Sequence, residues 1–223
     1  MNETKDTLYF SEILNDALPE LPADSPTVLF FDGVGVTRDR ENYNLTDPRY
    51  GDAMLDASRV LCGEITHTCF QVSDELSIIF PNIGSFASRI NAHYLTHDEI
   101  CGLSAQAFSE EFSNIYEKKT RFHVRIHTLR PEDCNRYIAW RRKYTKKAVY
   151  IYFLISKGAW KSEYRLYEEK ELLSIIMRNG LYGKFIKNRR YVEGVVQNIP
   201  KDTPHSSYQL LTTNAISIRH ECF

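Results

Sequence analysis

The sequence has no apolar run as long as a membrane-spanning helix, no C-x-x-C pair and no excess of charge of one sign. It carries 28 basic and 29 acidic residues, and the formal net charge of -1 gives no overall electrostatic reason to bind nucleic acid or a membrane. Any basic binding surface must therefore be local. The acidic N-terminal segment does not resemble a signal peptide. We expect a cytoplasmic protein that does not bind membranes.

Cysteine is also scarce. The chain has 5 cysteines, an odd number, and none of them forms a C-x-x-C pair. This usage is typical of reduced thiols in a reducing compartment. We therefore expect free thiols at Cys62, Cys69, Cys101, Cys134 and Cys222.

The apolar content of the chain is sufficient for one domain with an appendage. Its 223 residues are 43% hydrophobic, which is enough to build a core. We expect an N-terminal extension over 1–24 and a main domain over 25–158. The remaining segment, 159–223, is expected to form helices and a hairpin that pack on the same domain.

The periodicity of apolar residues predicts an α+β fold. Short β-branched runs predict strands, and longer amphipathic runs predict the helices between them. This order of elements is the split β-α-β form, a ferredoxin-like antiparallel sheet of four strands with helices on one face and the other face open. The predicted strands are 27–31, 65–72, 76–80 and 121–129, and the predicted helices are 53–61, 85–95, 101–116 and 131–158, followed by a second helical stretch and a hairpin of 191–196 with 210–218.

The strand over 121–129 alternates between apolar and polar side chains, so its two faces differ. Its apolar side chains are expected to face the helices, and its polar side chains the open face. An open face with cationic side chains predicts a nucleotide-binding surface. The apolar side chains are Phe122, Val124 and Ile126, and the polar side chains are His123, Arg125 and His127.

Three carboxylates are predicted to meet at one edge of this sheet. Asp32 ends the first strand, and Asp74 and Glu75 lie at the tip of the hairpin that neighbours it. Clustered carboxylates raise each other's pKa unless a cation offsets their charge. Hard oxygen ligands suit Mg²⁺, and nucleotide phosphates would complete the coordination shell of the ion. Gly33 lacks a Cβ, so its carbonyl can approach a metal or phosphate closely. Taken separately, the Asp-Gly pair and the Ser-Asp-Glu triplet also fit ordinary turns.

A basic stripe is predicted on the long helix that follows Pro131. Arg142 and Lys146 are four residues apart, as are Lys143 and Lys147, so each pair lies along one side of the helix. Such a stripe would stabilise a triphosphate or an RNA backbone, and Arg142 and Lys146 are therefore candidate nucleotide-binding residues. The alternative is a solvated helix face. The same two interpretations apply to a second basic cluster, at Lys184, Lys187, Arg189 and Arg190.

Four motifs together carry a family resemblance. They are "FFDGVGVTR" at 30–38, "QVSDELSIIF" at 71–80, "FHVRIHTLRPEDCNRYIAWRR" at 122–142 and "YGKFIKNRRYVEGVV" at 182–196. In this order they resemble tRNA-His guanylyltransferase and its shorter relatives, the guanylyltransferase-like 3′-to-5′ polymerases. The resemblance covers most of residues 25–200.

The resemblance implies a polymerase-like palm that adds nucleotides to the 5′ end of RNA. That end would first be activated by a nucleoside triphosphate, with ATP and GTP as substrates and the 5′ end of a tRNA as the RNA partner. Asp32, the Gly33 carbonyl and Asp74 match the ligands of two Mg²⁺ ions. Family enzymes are usually tetramers, so a homo-oligomer is expected.

Further residues match positions of the family near the nucleotide. Glu75 matches an additional acidic position, so Asp32, Asp74 and Glu75 are the candidate catalytic residues. Ser73 matches a serine near the nucleotide phosphates, and Arg38 matches a basic residue after the Asp-Gly pair.

The sequence also departs from the family in the nucleotide- and tRNA-contacting positions. Val34 and Thr37 replace an arginine and a histidine, and His123 replaces an acid. Asp47 stands where a lysine is common, and "KKAV" at 146–149 replaces a His-Ile-Asn-Asn stretch of the eukaryotic enzymes. These departures concern guanine preference and tRNA-His specificity and leave the carboxylates intact. Two alternatives therefore stay open: a palm-domain synthase of a small cyclic or oligonucleotide signal, and a catalytically idle RNA-binding module.

Overall fold

The computed structural model describes residue 10 and residues 21–36, 48–187 and 194–199. Over these ranges five strands form one antiparallel sheet: β1 (Thr27–Gly33), β2 (His67–Val72), β3 (Glu75–Phe80), β4 (Phe122–Thr128) and β5 (Val195–Ile199). Their order across the sheet is β4-β1-β3-β2-β5. The first four strands have the ferredoxin-like order, and the predicted α+β fold class is confirmed.

The helices follow the predicted order, with different bounds. Helix 85–95 was predicted too long: it ends at Arg89, because Asn91 adopts a left-handed conformation (φ 57°) that stops the helix. The next helix begins at the cap Thr96, whose side chain accepts a hydrogen bond from the Glu99 backbone N–H. The helices are α1 (Pro48–Cys62), α2 (Gly84–Arg89), α3 (His97–Tyr116), α4 (Cys134–Ser156), α5 (Glu169–Arg178) and α6 (Tyr182–Lys187), with 3₁₀ turns at Pro131–Asp133 and Ser162–Leu166.

One face of the sheet packs on α1 and α3. Alternate side chains of β1, such as Leu29 and Phe31, point into this core, because successive residues of a strand face opposite sides. The rings of Phe31 and Phe108 lie 4.4 Å apart between their centroids. The predicted inward residues of β4 lie on this face, with Phe122 and Ile126 in the core.

The other face of the sheet was predicted to be open, and this prediction is wrong. It is largely covered by α4 and α5. A second core joins strand residues such as Val28 and Phe70 to helix residues such as Phe153 and Ile176. The expectation of an open face rested on β4, which is an edge strand. Strand β2, in the interior of the sheet, is buried on both faces, since all six of its residues, His67–Val72, are buried. On β4 only His123 and Arg125 stay exposed on this side, whereas His127 is buried.

The C-terminal part of the described chain extends the sheet. β5 pairs with β2, so residues 195–199 lie at the sheet edge opposite β4. The second strand of the hairpin predicted there, 210–218, lies outside the described residues. In the described ranges, none of the helices has the length and apolarity needed to cross a membrane.

Candidate active site

Strand register brings the three predicted carboxylates together at one end of the central strands β1 and β3. Asp32 is directly opposite Glu75 in the pairing of β1 with β3. The turn between β2 and β3 contains only Ser73 and Asp74, and the Gly33 backbone N–H donates to the Asp74 carbonyl at 3.1 Å. Ser73 has a φ of 54°, an uncommon left-handed conformation for a residue with a side chain. The end of β1 and the tip of the hairpin are therefore held together by the backbone.

These residues line a cavity of about 480 Å³. Six of the residues selected from the sequence lie on its wall, together with two residues of the β1 loop and four residues of α4. This volume falls within the range of small-molecule sites. The selected residues are Asp32, Gly33, Ser73, Asp74, Glu75 and His123; the loop contributes Val34 and Gly35, and α4 contributes Thr145, Ala148, Val149 and Tyr152.

Asp74 is the most deeply buried of the three carboxylates, with 4% of its surface exposed. Burial, together with the neighbouring charges of Asp32 and Glu75, raises its pKa to about 7. The Ser73 hydroxyl donates to Asp74 Oδ1 at 3.1 Å and partly offsets this effect. Burial also raises the pKa of Asp32, against the opposing charges of Arg125, Arg141 and His123. A cation in this cavity would relieve the crowding of negative charge.

Arg141 is a site residue that the sequence analysis missed. Its guanidinium donates to the Glu75 carboxylate and lies over the Phe30 ring, 4.4 Å from the centroid. Burial raises the pKa of Glu75, and the Arg141 charge opposes that shift. A signal was present in the sequence: Arg141, Thr145, Ala148 and Tyr152 recur at intervals of four, three and four residues, which is one side of a helix.

The predicted stripe of Arg142 and Lys146 lies on a different side of α4 and does not line the cavity. The Lys146 Nζ forms an ion pair with Glu169 of α5 at 3.2 Å, and the Arg142 guanidinium lies 5.9 Å from the centre of the Phe70 ring. The helical spacing and the family resemblance predict that both side chains contact a nucleotide. In the structure, packing of α4 against α5 and the sheet directs them away from the cavity. Arg125 is exposed on β4 near Asp32, and Arg38 lies outside the described residues.

Gly33 is needed for core packing as well as for the access of a ligand to its carbonyl. A Cβ at this position would meet Val36 Cγ2 at 2.7 Å and the Tyr50 hydroxyl at 3.2 Å. The glycine is therefore required by the core behind the site, in addition to any close approach of a ligand to its carbonyl.

The donor set suits Mg²⁺ only if phosphates complete the coordination. Within the described ranges, no group of three or more His, Cys, Asp or Glu side chains is arranged to hold a metal ion. The predicted ligands are two carboxylates and one main-chain carbonyl, from Asp32, Asp74 and Gly33. Such a partial shell of hard oxygens, around a buried carboxylate with a raised pKa, fits a Mg²⁺ ion that arrives with a nucleotide.

Fold and cavity together define an α+β protein with a ferredoxin-like sheet and a carboxylate-lined site where β1 meets the β2–β3 turn. No protein-family model matches the sequence, and no curated protein matches it either. Solved structures do match the fold. A bacterial tRNA(His) guanylyltransferase-like protein in complex with ATP aligns with a TM-score of 0.63 at 15% identity, over 98% of this chain and 91% of that chain.

Two further structures belong to the same group. The tRNA(His) guanylyltransferase from Saccharomyces cerevisiae aligns with a TM-score of 0.65 at 16% identity, over 94% of this chain and 97% of that one. A bacterial tRNA(His) guanylyltransferase-like protein in complex with GTP aligns with a TM-score of 0.57 at 14% identity, over 87% of this chain and 83% of that chain. The resemblance predicted from the four motifs is thus confirmed at the level of the fold.

Proposed function

We propose that this chain is a metal-dependent nucleotidyltransferase that adds nucleotides to the 5′ end of RNA, with a tRNA as the substrate. The observation that carries the proposal is the cavity at which Asp32, Asp74 and Glu75 meet, in the fold of tRNA(His) guanylyltransferases. The neighbours in complex with ATP and GTP support a nucleoside triphosphate as the occupant of such a site.

The residues at and around the three carboxylates have separate roles in this proposal. Asp32, Asp74 and the Gly33 carbonyl would hold Mg²⁺, which when bound supplies charge neutralisation at the phosphates and activation of the attacking hydroxyl. Ser73 keeps the Asp74 carboxylate in place through its hydroxyl. Glu75 is held by Arg141 and pairs with Asp32 between the adjacent strands β3 and β1, so it fixes the end of β1 at which Asp32 lies.

The charge of the triphosphate would be met by groups on β4. His123 lies on the cavity wall, and Arg125 is exposed two residues further along the same strand face. In this proposal both donate hydrogen bonds to phosphate oxygens outside the carboxylate cluster.

The α4 wall of the cavity offers little to distinguish one base from another. Of the four α4 residues that line the cavity, Ala148 and Val149 have no side-chain hydrogen-bonding groups, and Thr145 and Tyr152 each carry one hydroxyl. We therefore expect several nucleotides to be accepted, rather than guanine alone. We also expect the protein to act as a homo-oligomer, which light scattering coupled to size-exclusion chromatography would test.

The test is incorporation of labelled nucleotide at the 5′ end of a truncated tRNA, with Mg²⁺, ATP and all four nucleotides, beside a reaction without RNA. Extended tRNA that disappears with Asp32→Ala and Asp74→Ala, but not with the exposed control Asp98→Ala, supports the proposal. A metal-dependent product in the tube without RNA would instead indicate a synthase of small nucleotides. Absence of product in both tubes contradicts an enzymatic role.

A further inference from the structure

Charge is distributed unevenly along the chain although its net value is close to zero. Residues 1–156 contain 22 acidic and 17 basic residues, whereas residues 157–223 contain 7 acidic and 11 basic residues. An asymmetry of this kind is typical of chains whose basic part contacts a polyanion. The division falls directly after α4, whose last residue is Ser156.

The first described segment of this basic part carries aromatic rings between its cations. Trp160, Tyr164 and Tyr167 are half-buried. The rings of Trp160 and Tyr164 form a T-shaped pair with centroids 5.8 Å apart, and those of Tyr164 and Tyr167 form a tilted pair with centroids 5.4 Å apart. Each ring rests on the second core and leaves part of its surface in solvent. The chain is held here by the 3₁₀ turn Ser162–Leu166.

Cations accompany these rings. Lys161 and Arg165 are exposed, and the Lys161 Nζ lies 6.0 Å from the centre of the Tyr164 ring. Glu163 is the only acidic residue between positions 157 and 167, against three basic ones. We call the set Trp160, Lys161, Tyr164, Arg165 and Tyr167 the aromatic–basic surface.

We propose that the aromatic–basic surface binds the unpaired end of an RNA strand. Partly exposed rings give bases a surface for stacking, and interleaved cations neutralise the phosphates of the same strand. Double-stranded RNA hides its bases and would use only the cations. A protein partner would more often take aromatic side chains that form the apolar centre of a patch, whereas here cations separate them along the chain.

The surface follows the cavity wall along the chain. Tyr152 lines the cavity on α4, the helix ends at Ser156, and the surface begins at Trp160, eight residues after Tyr152. An RNA end bound there would be held on the segment that follows the α4 wall of the cavity. The inference rests on the proposed function for its role, but binding itself can be measured without catalysis.

The experiment is fluorescence anisotropy with two labelled RNAs, a short single strand and a blunt hairpin of equal length, between about 50 and 200 mM salt. For the single strand, log K falls as log salt rises. In the double variant Lys161→Gln/Arg165→Gln this fall should be shallower, with the magnitude of the slope reduced by about 1.4, because two phosphate contacts are lost. Tyr164→Leu should weaken single-strand binding about fivefold or more and leave hairpin binding unchanged. The matched control is Lys118→Gln/Lys119→Gln, which removes two exposed cations at the end of α3.

The outcomes separate this inference from the proposed function. Single-strand binding that all of these variants leave unchanged would overturn the inference, as would equal weakening of both RNAs by Tyr164→Leu. Because Tyr164 is half-buried, thermal unfolding of that variant is measured in parallel, and the exposed double variant gives an independent result. Asp74→Ala should abolish nucleotide addition and retain RNA binding. Binding that depends on the surface without any nucleotide addition would support the inference and contradict the proposed function.

Discussion

The guanidinium of Arg141 donates to the carboxylate of Glu75 while it lies against the ring of Phe30, 4.4 Å from the centroid. The pair joins α4 to β3, so it connects the helix that forms one cavity wall to the strand that follows the Ser73–Asp74 turn. Arg141 is buried, with 6% of its side chain exposed, and Glu75 has 25% exposed. Such a pair fixes geometry at the site more than it adds net stability.

Removing one partner of this ion pair should therefore be more damaging than removing both. We expect Arg141→Met to lower the free energy of unfolding by about 3 kcal/mol, because the partly buried Glu75 carboxylate loses its counter-charge. The double variant Arg141→Met/Glu75→Gln should recover most of that loss. Urea unfolding measures both, with the exposed Lys143→Met as a control expected to change stability by less than about 0.5 kcal/mol. Additive effects of the two single substitutions would show that the pair is not coupled.

Asp74 should destabilise the protein when it is ionised and no metal is present. Its pKa is raised to about 7 by burial and by Asp32 and Glu75, from an ordinary value of 3.8. The folded state therefore binds the proton more tightly than the unfolded state, and the contribution of Asp74 to stability is lost as the pH rises from about 4 through about 7. In Asp74→Asn this loss is absent.

In chelator, Asp74→Asn should therefore be more stable than the wild type by on the order of 2 kcal/mol near pH 8, and by much less near pH 5. Urea unfolding at both pH values gives the comparison, with Asp98→Asn as an exposed control. A difference that does not grow with pH would contradict the electrostatic origin. The variant should at the same time lose nucleotide addition.

His67 should produce the opposite pH dependence at the far end of the sheet. Its side chain is buried, its Nδ1 lies 2.5 Å from the Ile65 carbonyl, and burial lowers its pKa to about 4 from an ordinary value of 6.5. The unfolded state then binds the proton more tightly, so stability is present above pH 6.5 and is lost as the pH falls towards 4.

The test compares the wild type with His67→Phe, which keeps a ring beside Phe80 and does not titrate. Between pH 6.5 and 4 the wild type should lose on the order of 2 kcal/mol more than the variant. Equal slopes of unfolding free energy against pH would exclude His67 as the group responsible. The exposed His93→Gln serves as the control and should follow the wild type.

Much of this arrangement follows from local sequence. The alternation in β4 and the two-residue turn at Ser73 and Asp74 set the strand faces and the register, and that register places Asp32 opposite Glu75. The short connection between β2 and β3 leaves little choice of pairing. The convergence of the carboxylates could therefore be predicted without coordinates.

The orientation of α4 could not be predicted in the same way. Arg141 with Thr145 and Arg142 with Lys146 have the same four-residue spacing, so periodicity assigns both pairs to helix sides without saying which side faces the cavity. That choice is made by packing between distant segments: the Glu75 carboxylate on one side and Glu169 on the other. Basic side chains mostly lie in solvent, yet Arg141 is buried, because the Glu75 carboxylate and the Phe30 ring interact with its guanidinium.

The two sides of α4 can be distinguished by substitution. Ala148→Leu places a larger side chain on the cavity wall, so it should reduce nucleoside triphosphate affinity at least about tenfold by occupying the space of the ligand. Because Ala148 is half-exposed, the fold should be retained, which thermal unfolding checks. Lys146→Gln, two residues earlier, removes the ion pair with Glu169 and should leave the affinity within about twofold of the wild type. Titration of a fluorescent ATP or GTP analogue measures both variants. Loss of affinity in Lys146→Gln with none in Ala148→Leu would mean that the nucleotide lies along the Arg142–Lys146 side of the helix, and that the cavity beside Asp32 is not its binding site.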